Sequence, residues 1–284
     1  MNNTLDKICM VTGGTSGLGA AAAQHLAHLG ATVIIAGRNA AQCARKVEKI
    51  KHAVPGARVE FLQADFSSQV QVRQLAKDFM DRYSHLDVLI NNAGAIFANR
   101  LISVDGLEMT FAVNHLSCFL LTNLLLNPLK ASGSARVVMV SSAAHMHGCI
   151  NFEDLQFEHH YNRMQAYAQS KLANIYFTYA LAGRLEGTSV TANVLNPGSV
   201  ATNLGSNNSW LKTKLRNLLK PGMMSPDEGA KTIVYLAVSP EVEGVTGQYF
   251  YDCKAVRSSD DSYQKENAEK LWLLSERLAG LVEN

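Results

Sequence analysis

At 284 residues the chain fits one large α/β domain or two small ones, and its 47% hydrophobic content supports a substantial core. A net charge of +2 gives no electrostatic case for nucleic-acid binding. No apolar run is long enough to span a bilayer.

The N-terminal residues run from Met1 to Asp6 straight into a strand, which leaves no room for a signal peptide. That first strand, Ile8 to Thr12, is an unbroken run suited to a strand covered on both faces. It ends at Gly13-Gly14-Thr15-Ser16-Gly17-Leu18-Gly19, followed by an Ala-rich helix to about Leu29. Strand, glycine turn and helix form a dinucleotide phosphate site. Glycines let the backbone approach the pyrophosphate, and the helix N-terminus offers unpaired N–H groups and a positive dipole end. The spacing of Gly13, Gly17 and Gly19 is not the common G-x-G-x-x-G, so the signal rests on its strand–helix context.

The second strand, Thr32 to Ala36, ends in Gly37-Arg38-Asn39. An acidic residue there would accept bonds from the adenosine ribose. Arg38 instead suits a 2′-phosphate and hence NADP(H) over NAD(H), the alternative being a solvated surface arginine. Strand three, Arg58 to Gln63, leads to Asp65-Phe66, where Asp65 can bond an adenine amino group or cap the next helix. Strand four, Leu86 to Ile90, ends in Asn91-Asn92-Ala93-Gly94. Small residues there admit a cofactor, and the amides can equally pin neighbouring strands. A helix follows over Glu108 to Leu126 with Asn114 inside it, a poor interior helix residue that must find partners, hold a water or bend the helix. Strand five, Arg136 to Val140, delivers Ser141-Ser142 at its C-terminal end, where ligands bind in open α/β sheets. The Ser142 hydroxyl can donate to a substrate oxygen or stabilise a turn.

Tyr167 and Lys171 lie four apart on the next predicted helix, and no other tyrosine has a lysine at that distance. An ammonium beside a phenol favours the phenolate, which suits proton transfer to or from a carbonyl or alcohol oxygen. Strand six, Val190 to Leu195, ends in Asn196-Pro197-Gly198-Ser199-Val200-Ala201-Thr202, a sharp turn at the same sheet edge. Gly205 to Pro221 then reads as a short basic amphipathic helix. Trp210, Leu211, Leu215 and Leu218 form its apolar stripe, among Lys212, Lys214, Arg216 and Lys220. It suits a lid over an apolar substrate pocket, with Trp210 as a substrate contact; surface packing and weak membrane contact are the alternatives. Gly247 to Tyr251 closes the sheet as its last strand.

The five cysteines are scattered and form no C-x-x-C, so buried free thiols in a reducing cytoplasm are expected rather than disulfides or zinc. The nine histidines form no metal motif and are expected to be satisfied or exposed.

In combination, Thr12-Gly13-x-x-x-Gly17-x-Gly19, Asn91-Asn92-Ala93-Gly94, Asn114, Ser142, Tyr167-x-x-x-Lys171 and Pro197-Gly198 resemble the short-chain dehydrogenase/reductase family. Within it the chain resembles the retinol dehydrogenase and WW-domain oxidoreductase branch. Three stretches carry that closer likeness: Asp105 to Leu116, Tyr167 to Asn174, and Leu271 to Glu276. Ser117-Cys118 departs from the Gly-His usual in the branch, and the N-terminal membrane anchor of many retinol dehydrogenases is missing, as are WW domains.

The resemblance implies a single Rossmann-type α/β domain over the whole chain. Its doubly wound parallel sheet would have seven strands in order 3-2-1-4-5-6-7, helices on both faces, and a substrate lid around 203–225. It implies hydride transfer between NADP(H) and a carbonyl or alcohol. Tyr167 would be the proton donor, Ser142 would bind the substrate oxygen, and Lys171 would lower the Tyr167 pKa and hold the nicotinamide ribose. Asn114 would order a water. Gly13, Thr15, Ser16, Gly17, Leu18, Gly19, Arg38, Asn39, Asp65, Phe66, Asn92, Ala93, Gly94, Pro197, Gly198, Val200 and Thr202 would join Tyr167 and Lys171 in binding the cofactor. The partner expected is a small-molecule carbonyl or alcohol of apolar character, and a homo-oligomer is compatible with the family. Two other classes share parts of this pattern. A non-catalytic NADPH-binding sensor need not keep all four of Asn114, Ser142, Tyr167 and Lys171. A sugar-nucleotide epimerase shares Tyr-x-x-x-Lys but usually carries a larger C-terminal domain.

Overall fold

The computed structural model describes residues 4–200 and 224–282. Its strands are β1 (Ile8–Thr12), β2 (Thr32–Gly37), β3 (Val59–Gln63), β4 (Val88–Asn91), β5 (Arg136–Val140), β6 (Thr191–Asn196), β7 (Tyr249–Tyr251) and β8 (Lys254–Val256). They form one sheet in the order β3-β2-β1-β4-β5-β6-β7-β8, parallel up to β7. The expected seven strands and their order hold, with one addition: β8 pairs antiparallel with β7. The turn between them runs through Asp252 and Cys253, both at positive φ (49° and 59°). Non-glycine residues rarely adopt that conformation, which is why the sequence pattern gave no hairpin there.

Alternating side chains feed two cores, as expected when a parallel sheet is covered on both faces. From β1 and β2, Met10, Ile34 and Ala36 enter one core, while Cys9, Val11, Val33 and Ile35 enter the other. The second core is closed by α1 (Gly17–His28), α2 (Ala40–Ala53) and, further along the chain, Pro226–Val238. The first core is closed by α3 (Gln69–Met80), by residues 109–124, by the long helix Arg163–Arg184, and by Lys265–Leu278.

The helix expected over Glu108 to Leu126 is broken. Glu108 caps α4 (Met109–Phe111), accepting from the amides of Thr110 (2.8 Å) and Phe111 (2.7 Å). A π-helical turn, Ala112–Leu116, follows before α5 (Ser117–Leu124) and α6 (Leu126–Ala131). Asn114 lies inside the π turn, so the bend falls where the poor helix former stands. The remaining α-helices among the described residues are α7 (Arg163–Arg184), α8 (Pro226–Val238) and α9 (Lys265–Leu278).

The α9 helix is seated by Trp272. Its ring meets Phe119 edge-on (centroids 4.9 Å apart) and stacks on Phe177 (5.6 Å), and the Arg184 guanidinium lies 3.9 Å from its centroid. Of the five cysteines, Cys9, Cys43 and Cys118 are buried. Cys149 is exposed and Cys253 half-buried, correcting the expectation of burial throughout; both lie outside helices and strands. No helix among the described residues is long and apolar enough to cross a membrane. Trp272→Ala is expected to lower unfolding stability by roughly 3–5 kcal/mol through loss of this aromatic contact; chemical denaturation of the two proteins checks it.

Candidate active site

The chain reverses direction across the sheet between β1 and β4, and the crevice above their C-terminal ends is where ligands bind in such folds. A cleft of about 1150 Å³ opens there. The first glycine turn borders it at one end. Gly13 (φ 66°) and Gly17 (φ 54°) hold conformations that favour glycine, and a Cβ on Gly19 would stand 2.5 Å from the Gly13 carbonyl oxygen. Ser16 begins α1 without a side-chain cap, so the first N–H groups of that helix keep their capacity for an anion.

Thr12 and Asn92 fasten this turn to β4. The Thr12 hydroxyl accepts from the amides of Asn92 (2.9 Å) and Ala93 (3.0 Å) and donates to Ile90 O (3.2 Å). The Asn92 side chain donates back to Thr12 O at 2.8 Å. Asn92 therefore pins strands while also facing the cleft, and Asn91 serves structure alone, donating to Thr122 Oγ1 at 2.9 Å.

Among the expected cofactor residues, Gly13, Thr15, Ser16, Gly17, Leu18, Arg38, Asn39, Asp65, Phe66, Asn92, Ala93, Gly94, Pro197, Gly198 and Val200 line the cleft, as do Tyr167 and Lys171. Gly19 stands behind the turn, against Gly13 and Asn92, so its part is to let the turn close. Asn39 Oδ1 caps α2 at the Gln42 amide (2.9 Å), and Asp65 Oδ1 accepts from the Ser67 amide and hydroxyl (2.9 and 2.8 Å). Arg38 is exposed at the rim, and no carboxylate pairs with it among the described residues. Thr202, Trp210 and the amphipathic stretch 205–221 lie outside the described residues. Of the expected lid around 203–225, only Met224 and Ser225 are described, Met224 bridging in parallel to Val200.

The cleft's inner wall brings together Ser142, Tyr167 and Lys171 from β5 and α7. Asn162 starts α7 by accepting from the amides of Met164 and Gln165. The helix then places Tyr167 and Lys171 one turn apart on its buried face. Lys171 Nζ donates to Val140 O at 3.1 Å and lies 5.6 Å from the Tyr167 ring centroid. Ser142 caps the short 3₁₀ turn Ala143–His147, accepting from the Ala144 amide (3.2 Å), which is the turn-stabilising role, and it also lines the cleft beside Tyr167.

Burial raises the Tyr167 pKa, opposed by hydrogen bonding with Ser142, and burial pushes Lys171 down to about 8. This corrects the expected direction for the tyrosine. Both groups have left water, and desolvation outweighs whatever the ammonium offers the phenol across that distance.

Asn114 is fully buried and its amide is committed. Oδ1 accepts from the Ala95 amide (2.7 Å), and Nδ2 donates to Ala95 O and Ser170 Oγ (both 3.0 Å). With both amide protons used, the expected water between Asn114 and Lys171 has no side-chain donor on Asn114. The π turn leaves the Asn114 carbonyl pointing outward, where Asn174 Nδ2 reaches it at 3.0 Å. Asn174 Oδ1 therefore faces His115 Nδ1 (3.3 Å), and His115 Nε2 meets Ser275 Oγ of α9 at 2.9 Å. The three stretches that carry the closer branch likeness thus converge on one imidazole.

Several cleft residues were not expected: Ile96, Phe97, Met109 and Val113 form an apolar end, and Tyr251 projects from the end of β7. Tyr251 was within reach of the rule that ligands gather at strand C-termini; the others sit on a loop and a broken helix whose course no periodicity fixes. Among the described residues, no group of three His, Cys, Asp or Glu side chains could hold a metal ion.

The family model for short chain dehydrogenases matches residues 7–211, most of the chain and all the elements that build the cleft's cofactor side. The protein belongs to the short chain dehydrogenase family. Human polyprenol dehydrogenase is 44% identical over 285 residues, an alignment covering 98% of this chain and 86% of that one. Human retinol dehydrogenase 14 is 44% identical over 292 residues, covering 97% of this chain and 87% of that one. A solved structure of an uncharacterized protein from Mycobacterium paratuberculosis superposes with a TM-score of 0.77 at 34% identity, covering 97% of this chain and 94% of that one. As a short chain dehydrogenase, the chain has residues in the cleft that fit a dinucleotide: a glycine cradle, an uncapped helix start and an unpaired rim arginine.

The fully buried His115 gives this site an acid limit. Burial holds its pKa at about 4, below the usual 6.5. The unfolded chain binds the proton more readily, so the contribution is intact above pH 6.5 and is lost as pH falls toward 4. The loss is about 3 kcal/mol on the scale of 1.36 kcal/mol per pKa unit. Unfolding measured from pH 7 to 4 is expected to show a shallower acid loss in His115→Asn than in wild type, whatever the variant's stability at pH 7.

Proposed function

We propose that this short chain dehydrogenase is an NADP(H)-dependent oxidoreductase that interconverts an apolar aldehyde or ketone and its alcohol. The observation that carries the reading is the junction of Ser142, Tyr167 and Lys171 with the glycine turn in a single cleft. NADPH, when bound, supplies a hydride to the carbonyl carbon. Gly13, Ser16, Gly17 and Leu18 cradle its pyrophosphate, Asp65 and Phe66 meet its adenine end, and Arg38 pairs with the 2′-phosphate.

Tyr167 Oη gives its proton to the substrate oxygen in reduction and takes it back in oxidation. The Ser142 hydroxyl donates to the same oxygen and stabilises its developing charge. Lys171, held at about 8, binds ribose hydroxyls and returns a proton to Tyr167 near neutral pH. Asn114 fixes the Ala95 main chain against Ser170 and so holds β4's exit against the catalytic helix.

Ile96, Phe97, Met109 and Val113 offer the substrate hydrocarbon contact with few polar groups, which favours bulky apolar compounds. That two relatives are dehydrogenases of polyprenol and retinol, alcohols with long hydrocarbon bodies, supports the same class.

An NADPH-oxidation screen over isoprenoid, steroid, aliphatic and aromatic carbonyls tests the reading. NADPH binding without turnover of any of them would mark a sensor instead. Tyr167→Phe is expected to keep NADPH affinity, read by cofactor fluorescence, while kcat falls roughly 10²–10⁴-fold, the range of a lost acid–base group. Arg38→Ala is expected to cut kcat/KM for NADPH roughly ten- to hundred-fold, from a charge-assisted bond worth about 1.5–3 kcal/mol. Its kcat/KM for NADH should be unchanged; equal losses with both cofactors would place Arg38 away from the 2′-phosphate.

A further inference from the structure

His145 stands three residues after Ser142, in the middle of the 3₁₀ turn Ala143–His147. It is buried, and no step of the proposed reaction uses it. Both ring nitrogens meet groups of fixed polarity. The Ser259 main-chain N–H, which can only donate, reaches Nε2 at 3.1 Å. The Ser142 carbonyl, which can only accept, lies 2.7 Å from Nδ1. Nε2 is therefore bare and Nδ1 carries the proton, so one neutral tautomer satisfies both contacts, whereas the imidazolium would keep the bond to Ser142 and set its Nε2–H against the Ser259 N–H. Burial, which lowers the His145 pKa, works in the same sense.

The Ser142 carbonyl also accepts from the His145 amide at 3.2 Å, so the peptide plane that follows Ser142 is held from two directions. The far anchor is fixed as well. Tyr179 Oη meets Ser258 Oγ at 2.7 Å, Ser258 Oγ meets Ser262 Oγ at 2.6 Å, and Tyr176 Oη donates to Asp261 O at 2.6 Å. Tyr176 and Tyr179 belong to α7, the helix that carries Tyr167 and Lys171. A closed circuit results: α7 holds residues 258–261, Ser259 holds His145, His145 holds Ser142, and Ser142 faces Tyr167 of α7.

We propose that His145 is a positioning residue, a single-tautomer imidazole that sets the Ser142 hydroxyl against Tyr167 by tying the Ser142 carbonyl to the segment after β8. The proposal rests on Ser142 acting in the reaction. A buried histidine that merely fills space would tolerate any substitution of matching volume. A positioning histidine needs its Nδ1 donor specifically. The amide of asparagine reaches the place of Nδ1 and can donate to Ser142. The amide of glutamine reaches the place of Nε2, which preserves the contact with Ser259 and abandons Ser142.

The test is steady-state kinetics with the best aldehyde of the screen, cofactor titration and melting temperature for Ser142→Ala and for His145→Leu, His145→Asn and His145→Gln. His145→Leu is expected to lower kcat roughly ten- to hundred-fold, the scale of a catalytic group displaced by about an ångström, with NADPH affinity unchanged. His145→Asn should restore most of kcat and His145→Gln should not. Equal activity of the Asn and Gln variants, or losses that follow melting temperature alone, would overturn the proposal, and this comparison decides it even if His145→Leu does not fold. An active Ser142→Ala would instead remove the role given to Ser142 and the positioning claim with it. An inactive Ser142→Ala beside an active, folded His145→Leu would overturn the positioning claim alone.

Discussion

Burial of Lys171 is the constraint around which the site is arranged. An ammonium removed from water is costly unless its donors find acceptors. Among the described residues the one protein acceptor for Lys171 Nζ is Val140 O, the last carbonyl of β5. That bond fixes α7 along β5, and Ser141 Oγ reinforces it by donating to Lys171 O at 2.8 Å. The residual cost appears as a pKa of about 8. The Lys171 side chain also borders the cleft, so the cost of its burial and its capacity to bind an acceptor there have the same origin.

The second theme is how polar groups inside the protein are used. Asn114, Asn174, His115 and His145 are buried, and each is hydrogen-bonded through its side chain. Such networks cost stability when any member is lost, and in return they admit one arrangement only. His145 runs from Ser142 of the cleft wall, and His115 from Asn174 of α7, to the chain beyond β8. Ser259 and Ser275 are far from Ser142 and Asn114 in sequence, yet they complete the hydrogen bonding that orients them.

Much of this was legible in the sequence because the elements concerned obey local rules. Apolar runs marked the strands, the glycine turn marked a stretch that lines the cleft, and helical spacing put Tyr167 beside Lys171. The π turn could be suspected from Asn114 but not located, since a one-residue change in helical pitch leaves no periodic mark. The direction of the Tyr167 shift depended on burial, which two residues read in isolation do not disclose. His115 and His145 were read as satisfied histidines, correctly as far as it went. Their partners lie at |i−j| of 160 and 114, a separation that no local pattern encodes.

The antiparallel β8 has a consequence for how the molecule behaves in a crowded solution. A parallel sheet that ended at β7 would offer unpaired backbone groups to another chain. The three residues of β8 are all exposed, beginning with Lys254, and a strand so short and charged is a poor template for continued pairing. The opposite edge, β3, carries Glu60, which Tyr83 and Arg82 hold in place. Each border of the sheet thus bears a charged side chain, and adding a strand there would mean stripping water from it.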